Sequence, residues 1–593
     1  MFTLFLGLVL LAIPFLLVEL FSDKKRGFIY VLFFVLLFQT VLAISTQSLG
    51  VFYYNVIFYA TLLADVAVVV AYFAVRIKNG QKFSFGFKNI DWIIIAVAAI
   101  AFLSLYQVNY NYTGKINIAT DLTVSYHQVK NMVYPYPYFS DEWYAVSLVK
   151  GAISNHSLPV KNILDNSFFL NLELFFHSFI AEIMLLLGLN PLTQYTILTI
   201  FFNSLIILLI YLFLRISKIP KLTAGVCSLL ALYITCGGNL PGLWQLIPFN
   251  FGIIFFLLSL CFMEIGDSKT VFLSVASASI FYPPLVPFYF IGLIVFLFSK
   301  MPKKHLLRTV FFGILSLIII STFFYISVLK SSLKYIVSRI FFITPVAPLI
   351  PQFYFYDIIP LLAILLAIFG VFNLYKSKKW VLLSELILGV VFWAFYSFTV
   401  FRFFAEYERV VIFSSIIVVI ISGFGLLRLE GYIRMKFETF GEKIIKITEV
   451  AILFIFLLSV PFYTQGENWA KLVEVNPANG DIAYPKSPVN QYLTTDDLKI
   501  FKNINGKRFL SLPWKGTVIG VATGNYPVLI KQGTLVIGSN DMLIDFLRAD
   551  CPGKNNIAKQ FNLDYIYIYE FSCPNFEKID QSDEGLTLYK VKK

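Results

Sequence analysis

Runs of roughly eighteen or more apolar residues recur from residue 2 to about residue 461, and no other feature constrains the fold of this chain as strongly. In hydrocarbon every backbone N–H and C=O must be bonded within the segment, so such runs become helices. Composition agrees: 58% of the 593 residues are hydrophobic and 14% charged, where soluble proteins carry about 25% charged residues. The expected fold class is an all-α polytopic membrane bundle of about 14 spans, with a small α/β domain after it. Spans are expected near 2–21, 28–48, 51–75, 91–109, 168–188, 192–215, 222–239, 249–265, 271–299 and 447–463. The first is too long for a signal-peptide core and is followed by Asp23-Lys24-Lys25-Arg26, so it reads as a span.

The net charge of +13 does not point to nucleic acid, because the basic residues gather in short loops between spans. There they orient the bundle, basic side inward. Clusters at Lys24-Lys25-Arg26, 76–88, 303–308, 376–379 and 428–446 are therefore read as cytoplasmic. This places loop 110–167 and tail 464–593 outside. Pro283-Pro284 lies either inside one long span, 271–299, or at a hairpin tip, and both readings keep the loop and the tail on one side.

Four regions follow: N-terminal helices 1–109, an external loop 110–167, a membrane core 168–463 and an extracytoplasmic domain 464–593. In the tail, runs at 516–521, 534–537 and 565–569 read as strands and 542–549 as a helix. Cys551 and Cys573 lie there and could pair in an oxidising compartment, whereas Cys227, Cys236 and Cys261 read as apolar filling. No cysteine pair is spaced like a metal site, and the four histidines are scattered.

Chemistry concentrates in the external loop. Tyr134-Pro135-Tyr136-Pro137 cannot continue a helix, Ser140 offers an N-cap, and Asp141 and Glu142 fall in the first turn that follows. Ala145, Val146, Leu148, Val149 and Ile153 recur at helical spacing, so 141–153 is expected along the bilayer surface. A carboxylate held there can take a proton from a hydroxyl, or hold a divalent cation against phosphate. First-turn acids also simply complement the helix dipole. Asp121 and Asp165 are weaker candidates in the same loop, where solvated loop acids are the more ordinary reading.

Arg402, Glu408 and Arg409 sit at the outer end of a later span. Arginine's planar fork suits phosphate oxygens, although an interfacial ion pair accounts for such residues equally well. His177 shares a helix face with Glu173 and lies near Glu182. It reads as a supporting group or a satisfied interior histidine.

Pro137-Tyr138-Phe139-Ser140-Asp141-Glu142, then Leu158-Pro159, Phe176-His177 and Leu187-Gly188-Leu189-Asn190-Pro191, resemble the first-loop region of polytopic GT-C glycosyltransferases. The nearest branches are the mannosyltransferases and aminoarabinose transferases. Glu408-Arg409, with the span ending Gly423-Phe424-Gly425, resembles a later element of the same proteins. The resemblance covers roughly 137–191 and 401–428 by motif, and the rest by layout.

It implies a GT-C-like bundle that takes a sugar from a polyprenyl-phosphate donor in the membrane and moves it to an extracytoplasmic lipid, glycan or protein. Asp141 would be the base and Glu142 its helper. Arg402 and Arg409 would bind the donor phosphate, with Glu408, His177 and Asp121 supporting. Tyr134, Tyr136, Tyr138 and Trp143 are candidates for stacking on sugar faces. The chain departs from the family in having four spans before the acidic loop, and it has no Asp-x-Asp pattern there. No cofactor is therefore assigned, a divalent cation remaining open. A transporter or flippase of a lipid-linked sugar, or a non-catalytic membrane protein, is the alternative.

Overall fold

A computed structural model describes residues 2–79, 91–119, 124–161, 171, 173–234, 243, 245–300, 344–345, 359–398, 401–402, 407–459, 490–532, 535–537 and 540–592. Helix α1 (Phe2–Ala12) tightens into a 3-10 segment, Ile13–Leu20, because Pro14 lacks the N–H that would continue the α ladder. Asp23 starts α2 (Lys24–Ser48), accepting from the Lys25 N–H at 3.1 Å. Then come α3 (Tyr54–Lys78) and α4 (Trp92–Tyr110), as the apolar runs require. The following segment is more ordered than a polar loop: β1 (Tyr112–Ala119) and β2 (Val124–Met132) form an antiparallel hairpin.

After the hairpin lie α5 (Ser140–Asn155), α6 (Leu174–Leu187), α7 (Tyr195–Ile216), α8 (Lys221–Leu229), α9 (Pro248–Ile265), α10 (Ser268–Phe281) and α11 (Val286–Lys300). The run 271–299 is thus two helices, broken by a 3-10 turn at Pro283–Leu285 where two consecutive prolines withhold N–H donors. A two-residue strand β3 (Thr344–Pro345), helices α12 (Leu361–Lys376) and α13 (Trp380–Phe398), strand β4 (Phe401–Arg402) and α14 (Tyr407–Ser459) complete the helical part. Seven helices among the described residues are long and apolar enough to cross a membrane, and six shorter apolar ones accompany them. The chain is a helical membrane protein with a small C-terminal sheet domain.

The 428–446 stretch, expected as a basic loop, is helical within α14. Glu430 and Glu449 both place a carboxyl oxygen 2.7 Å from the Thr223 hydroxyl. A straight helix would set those two glutamates roughly 28 Å apart, so α14 turns back on itself between them. The basic segment therefore does reverse the chain direction, as a loop would.

The first limb of α14 packs against α12 with almost no side chain between them. A Cβ on Gly425 would fall on the Leu366 carbonyl oxygen, and one on Gly370 on that of Ile421. Small residues allow this backbone approach, which supplies dispersion where lipid offers no hydrophobic drive. Gly425→Ala is expected to force the helices apart and cost about 1–3 kcal/mol, read as a lower melting temperature in detergent. Gly431→Ala, on the same helix with nothing within 4 Å of the new Cβ, should leave it unchanged.

The C-terminal part begins with β5 (Asn490–Gln491), which joins β1 in parallel through Asn117–Asn490 and Ile118–Gln491 pairs. Next come α15 (Thr495–Ile500), β6 (Arg508–Ser511), α16 (Pro513–Thr523), β7 (Tyr526–Pro527), the hairpin β8 (Ile530–Gln532) and β9 (Leu535–Ile537), and helices α17 (Asn540–Arg548) and α18 (Cys551–Gln560). The last strands are β10 (Tyr565–Tyr569), β11 (Phe576–Gln581) and β12 (Leu586–Val591). The main sheet runs β11-β12-β10-β6-β7, with β10, β6 and β7 parallel.

Expectation and structure agree on β9, α17 and β10 and differ at 516–521, which is helical within α16. Pro513 in its first turn presets the helical φ, and Pro513 to Val521 are buried all round. A short run buried on every side carries no period that separates helix from strand. Cys551 and Cys573 are joined in a disulfide, while Cys227 and Cys261 are buried thiols. Cys236 lies outside the described residues.

Candidate active site

The segment before α5 is a packed aromatic turn. The Tyr134 hydroxyl donates to the Leu493 carbonyl at 2.9 Å, Tyr138 to Asn109 at 3.1 Å, and the Trp143 indole N–H to Pro137 at 2.9 Å. Tyr134, Tyr138 and Trp143 are buried and Tyr136 half-buried. Of the four rings expected to stack on sugar, Tyr134 and Tyr138 instead tie the segment to the tail and the bundle, and Trp143 closes the turn on itself. Their polar edges satisfy backbone groups, as burial demands.

Phe139, with extended backbone, is the residue that caps α5. Ser140 is already its first helical residue, not the cap expected from its side-chain chemistry. Asp141 and Glu142 do fall in the first turn. The helix does not lie free on a bilayer surface. It packs between α6 and α16, with Ala145, Val146, Leu148, Val149 and Ala152 buried and Lys150 donating to the Val521 carbonyl at 2.6 Å.

Successive helical residues point about 100° apart, and this separates the two acids. Asp141 Oδ2 lies 2.9 Å from an Arg409 guanidinium nitrogen, the arginine side chain 7% exposed and the aspartate 38%. A buried cation thus stands behind a carboxylate that still reaches the surface. The Arg409 Cζ sits 5.4 Å from the centre of the Phe249 ring, a cation–π contact from the first turn of α9.

Glu142 turns into the protein. Its Oε1 accepts from the Thr199 hydroxyl at 2.9 Å and from the Leu246 N–H at 2.8 Å. Burial pushes its pKa up to about 8 against these bonds, so at neutral pH the neutral acid dominates. The sign of the linkage follows. Glu142 binds its proton more tightly folded than unfolded, so its contribution to stability is full below 4.5 and is lost as pH rises toward 8. Glu142→Gln, which keeps an accepting oxygen, is expected to flatten the pH dependence of the melting temperature across that window. Melting curves in detergent from about pH 5 to about pH 8 check it, and an unaltered slope would remove Glu142 as its origin.

His177 is buried at the start of α6, its Nδ1 3.1 Å from the Asn171 amide nitrogen. That nitrogen also donates to the Pro159 carbonyl, and the Asn171 oxygen accepts from the Glu173 N–H. The amide orientation is thereby fixed, so Nδ1 is the accepting ring nitrogen and Nε2 carries the proton. Arg402 lies in β4, its backbone paired with Thr344 of β3. The side chains of Arg402 and Glu408 lie outside the described residues, as do Asp121 and Asp165 altogether. Among the described residues no group of three or more His, Cys, Asp or Glu is arranged to hold a metal ion. Thr199, Leu246 and Phe249 were not expected from sequence, because each sits in an apolar run that gives no polar signal.

No family model and no curated protein matches the chain. Among solved structures it is similar to the Archaeoglobus fulgidus oligosaccharyltransferase in complex with zinc and sulfate. The two share 12% identity over 84% of this chain and 73% of that one, with a TM-score of 0.44. A likeness this loose concerns general layout and assigns no chemistry.

Proposed function

We propose that the chain is a membrane glycosyltransferase that moves a sugar from a polyprenyl-phosphate donor to an extracytoplasmic acceptor hydroxyl, with inversion at the sugar carbon. The observation that carries this reading is the half-exposed Asp141 carboxylate held on the buried Arg409. The helix that carries Asp141, α5, packs against α6 of the bundle and α16 of the tail, and in this reading a lipid headgroup and a polar acceptor meet at its first turn.

Asp141 takes the proton of the acceptor hydroxyl as that oxygen bonds to the sugar's anomeric carbon. The bond from that carbon to phosphate oxygen breaks, and its electron pair leaves with the lipid phosphate. Arg409, with Arg402 as a second donor, stabilises the charge gathering there. Asp141, α5 and the tail face the outer side in this reading, in keeping with the charge pattern and with a disulfide in the tail.

The full-length protein in proteoliposomes, given a panel of labelled polyprenyl-phosphate sugars and membrane-extract acceptors, should form labelled product. Movement of labelled lipid across the bilayer without transfer would overturn the proposal in favour of a flippase.

A further inference from the structure

The turn that leads into α9 is held by an unusually complete set of buried polar contacts, all from α5, α7 or α9 itself. The Asn203 amide donates to the Gln245 carbonyl at 2.9 Å, and the Tyr195 hydroxyl to the Leu246 carbonyl at 2.7 Å. The Leu246 N–H donates to Glu142, and the Ile247 N–H to Asn250 Oδ1 at 3.1 Å. Asn250 Nδ2 in turn donates to Asn203 Oδ1 at 2.7 Å, and Thr199 closes the circuit onto Glu142. Tyr195, Thr199, Asn203, Gln245 and Asn250 are each no more than 1% exposed.

Both amides are orientation-locked, since each has one backbone partner of fixed sense. In surroundings this apolar, a lost member leaves a buried group without a partner, so the network behaves as a unit. Its two ends meet the candidate site. Glu142 is the chain neighbour of Asp141, and three residues beyond Leu246 stands Phe249, the ring beneath Arg409. Asp141 and Arg409 belong to helices far apart in sequence, and this network ties the first turn of α5 to the ring supporting the arginine.

We propose that Thr199, Asn203 and Asn250 are positioning residues that, through Glu142 and Phe249, set Asp141 and Arg409 at their working separation. None of the three is placed on a reacting atom, and the catalytic consequence rests on the transferase reading above.

The test uses full-length protein in proteoliposomes and the variants Thr199→Val, Thr199→Ser and Asn250→Asp. Valine keeps the shape of threonine without the hydroxyl, serine keeps the hydroxyl, and aspartate at 250 keeps the acceptor for Ile247 but not the donor to Asn203. Two readouts are taken. Carbodiimide labelling of Asp141 and phenylglyoxal labelling of Arg409, followed by mass spectrometry, report the pair without any need for turnover.

Thr199→Val and Asn250→Asp should each raise labelling of both residues about threefold or more, other carboxyls unchanged, and lower kcat/KM for the donor about tenfold, with both kcat and donor affinity affected because Asp141 and Arg409 move together. Thr199→Ser should restore both. Unchanged labelling in both variants, or an equal rise at every carboxyl, would overturn the proposal. If the wild type transfers no sugar, the transferase reading fails and labelling alone decides this one.

Discussion

Asp141→Asn is expected to lower kcat for sugar transfer by about two to four orders of magnitude, the usual worth of a positioned general base. Asparagine has the same shape and can still accept a hydrogen bond from Arg409, so the local frame should survive. What it cannot do is take the proton of an attacking hydroxyl. Asp141 is also half-exposed, so the substitution buries no new polar group, and a melting curve of the variant separates lost catalysis from the effect of removing the counter-charge of the buried Arg409. KM for the donor should change little, since Arg409 keeps its place.

Arg409→Lys separates the other half of the pair. Lysine retains charge but not the planar fork that meets phosphate oxygens in two directions. Donor affinity should then weaken more than kcat falls. Initial rates over a range of donor concentrations distinguish the two outcomes. An Asp141→Asn enzyme within a factor of about two of the wild type would remove this residue as the base.

Lys515→Met should have the largest effect on stability. The ammonium group is fully buried in α16, 2.7 Å from Asp497 and 2.8 Å from Glu584. Asp497 also accepts from the Tyr567 hydroxyl at 2.9 Å and from the Thr494 N–H at 2.9 Å, which caps α15. Burial pulls the lysine pKa down, but the Asp497 and Glu584 carboxylates outweigh it and hold the pKa above its ordinary 10.5. Its contribution is therefore present throughout the neutral range and is lost only in alkali above that value.

Methionine has similar volume, so the loss is electrostatic. Two buried acids remain without their common cation, at a cost of about 3–5 kcal/mol. Hydrogen exchange on the full-length protein should show faster exchange in β6, β10 and β12 while α7 and α9 stay protected. Unchanged exchange in those strands would show that the triad contributes little. Replacing Lys515, Asp497 and Glu584 together by apolar residues should cost less than the single change, because no charge is then stranded.

Much of this architecture is legible in the sequence because hydrocarbon permits so few backbone states. Four early apolar runs give α1 to α4 at nearly the expected residues, and Tyr134-Pro135-Tyr136-Pro137 followed by two acids marks the start of α5. Charge rise in the tail marks a sheet domain, and its two cysteines pair. These are local matters: periodicity, hydropathy, proline and first-turn chemistry act within a few residues of one another.

Tertiary structure alone decided the rest. Beyond Pro513, nothing local makes 516–521 a helix, since burial on every side erased the period that would tell helix from strand. The division between Asp141 and Glu142, one facing out and one in, depends on which neighbours α5 meets. Asp141 finds Arg409 268 residues away, and Glu142 finds Thr199 and the Leu246 N–H at separations of 57 and 104. Adjacent acids have the same chemistry in the chain. They differ in the protein because burial raises the free energy of one charge, while a cation placed by a distant helix compensates the other.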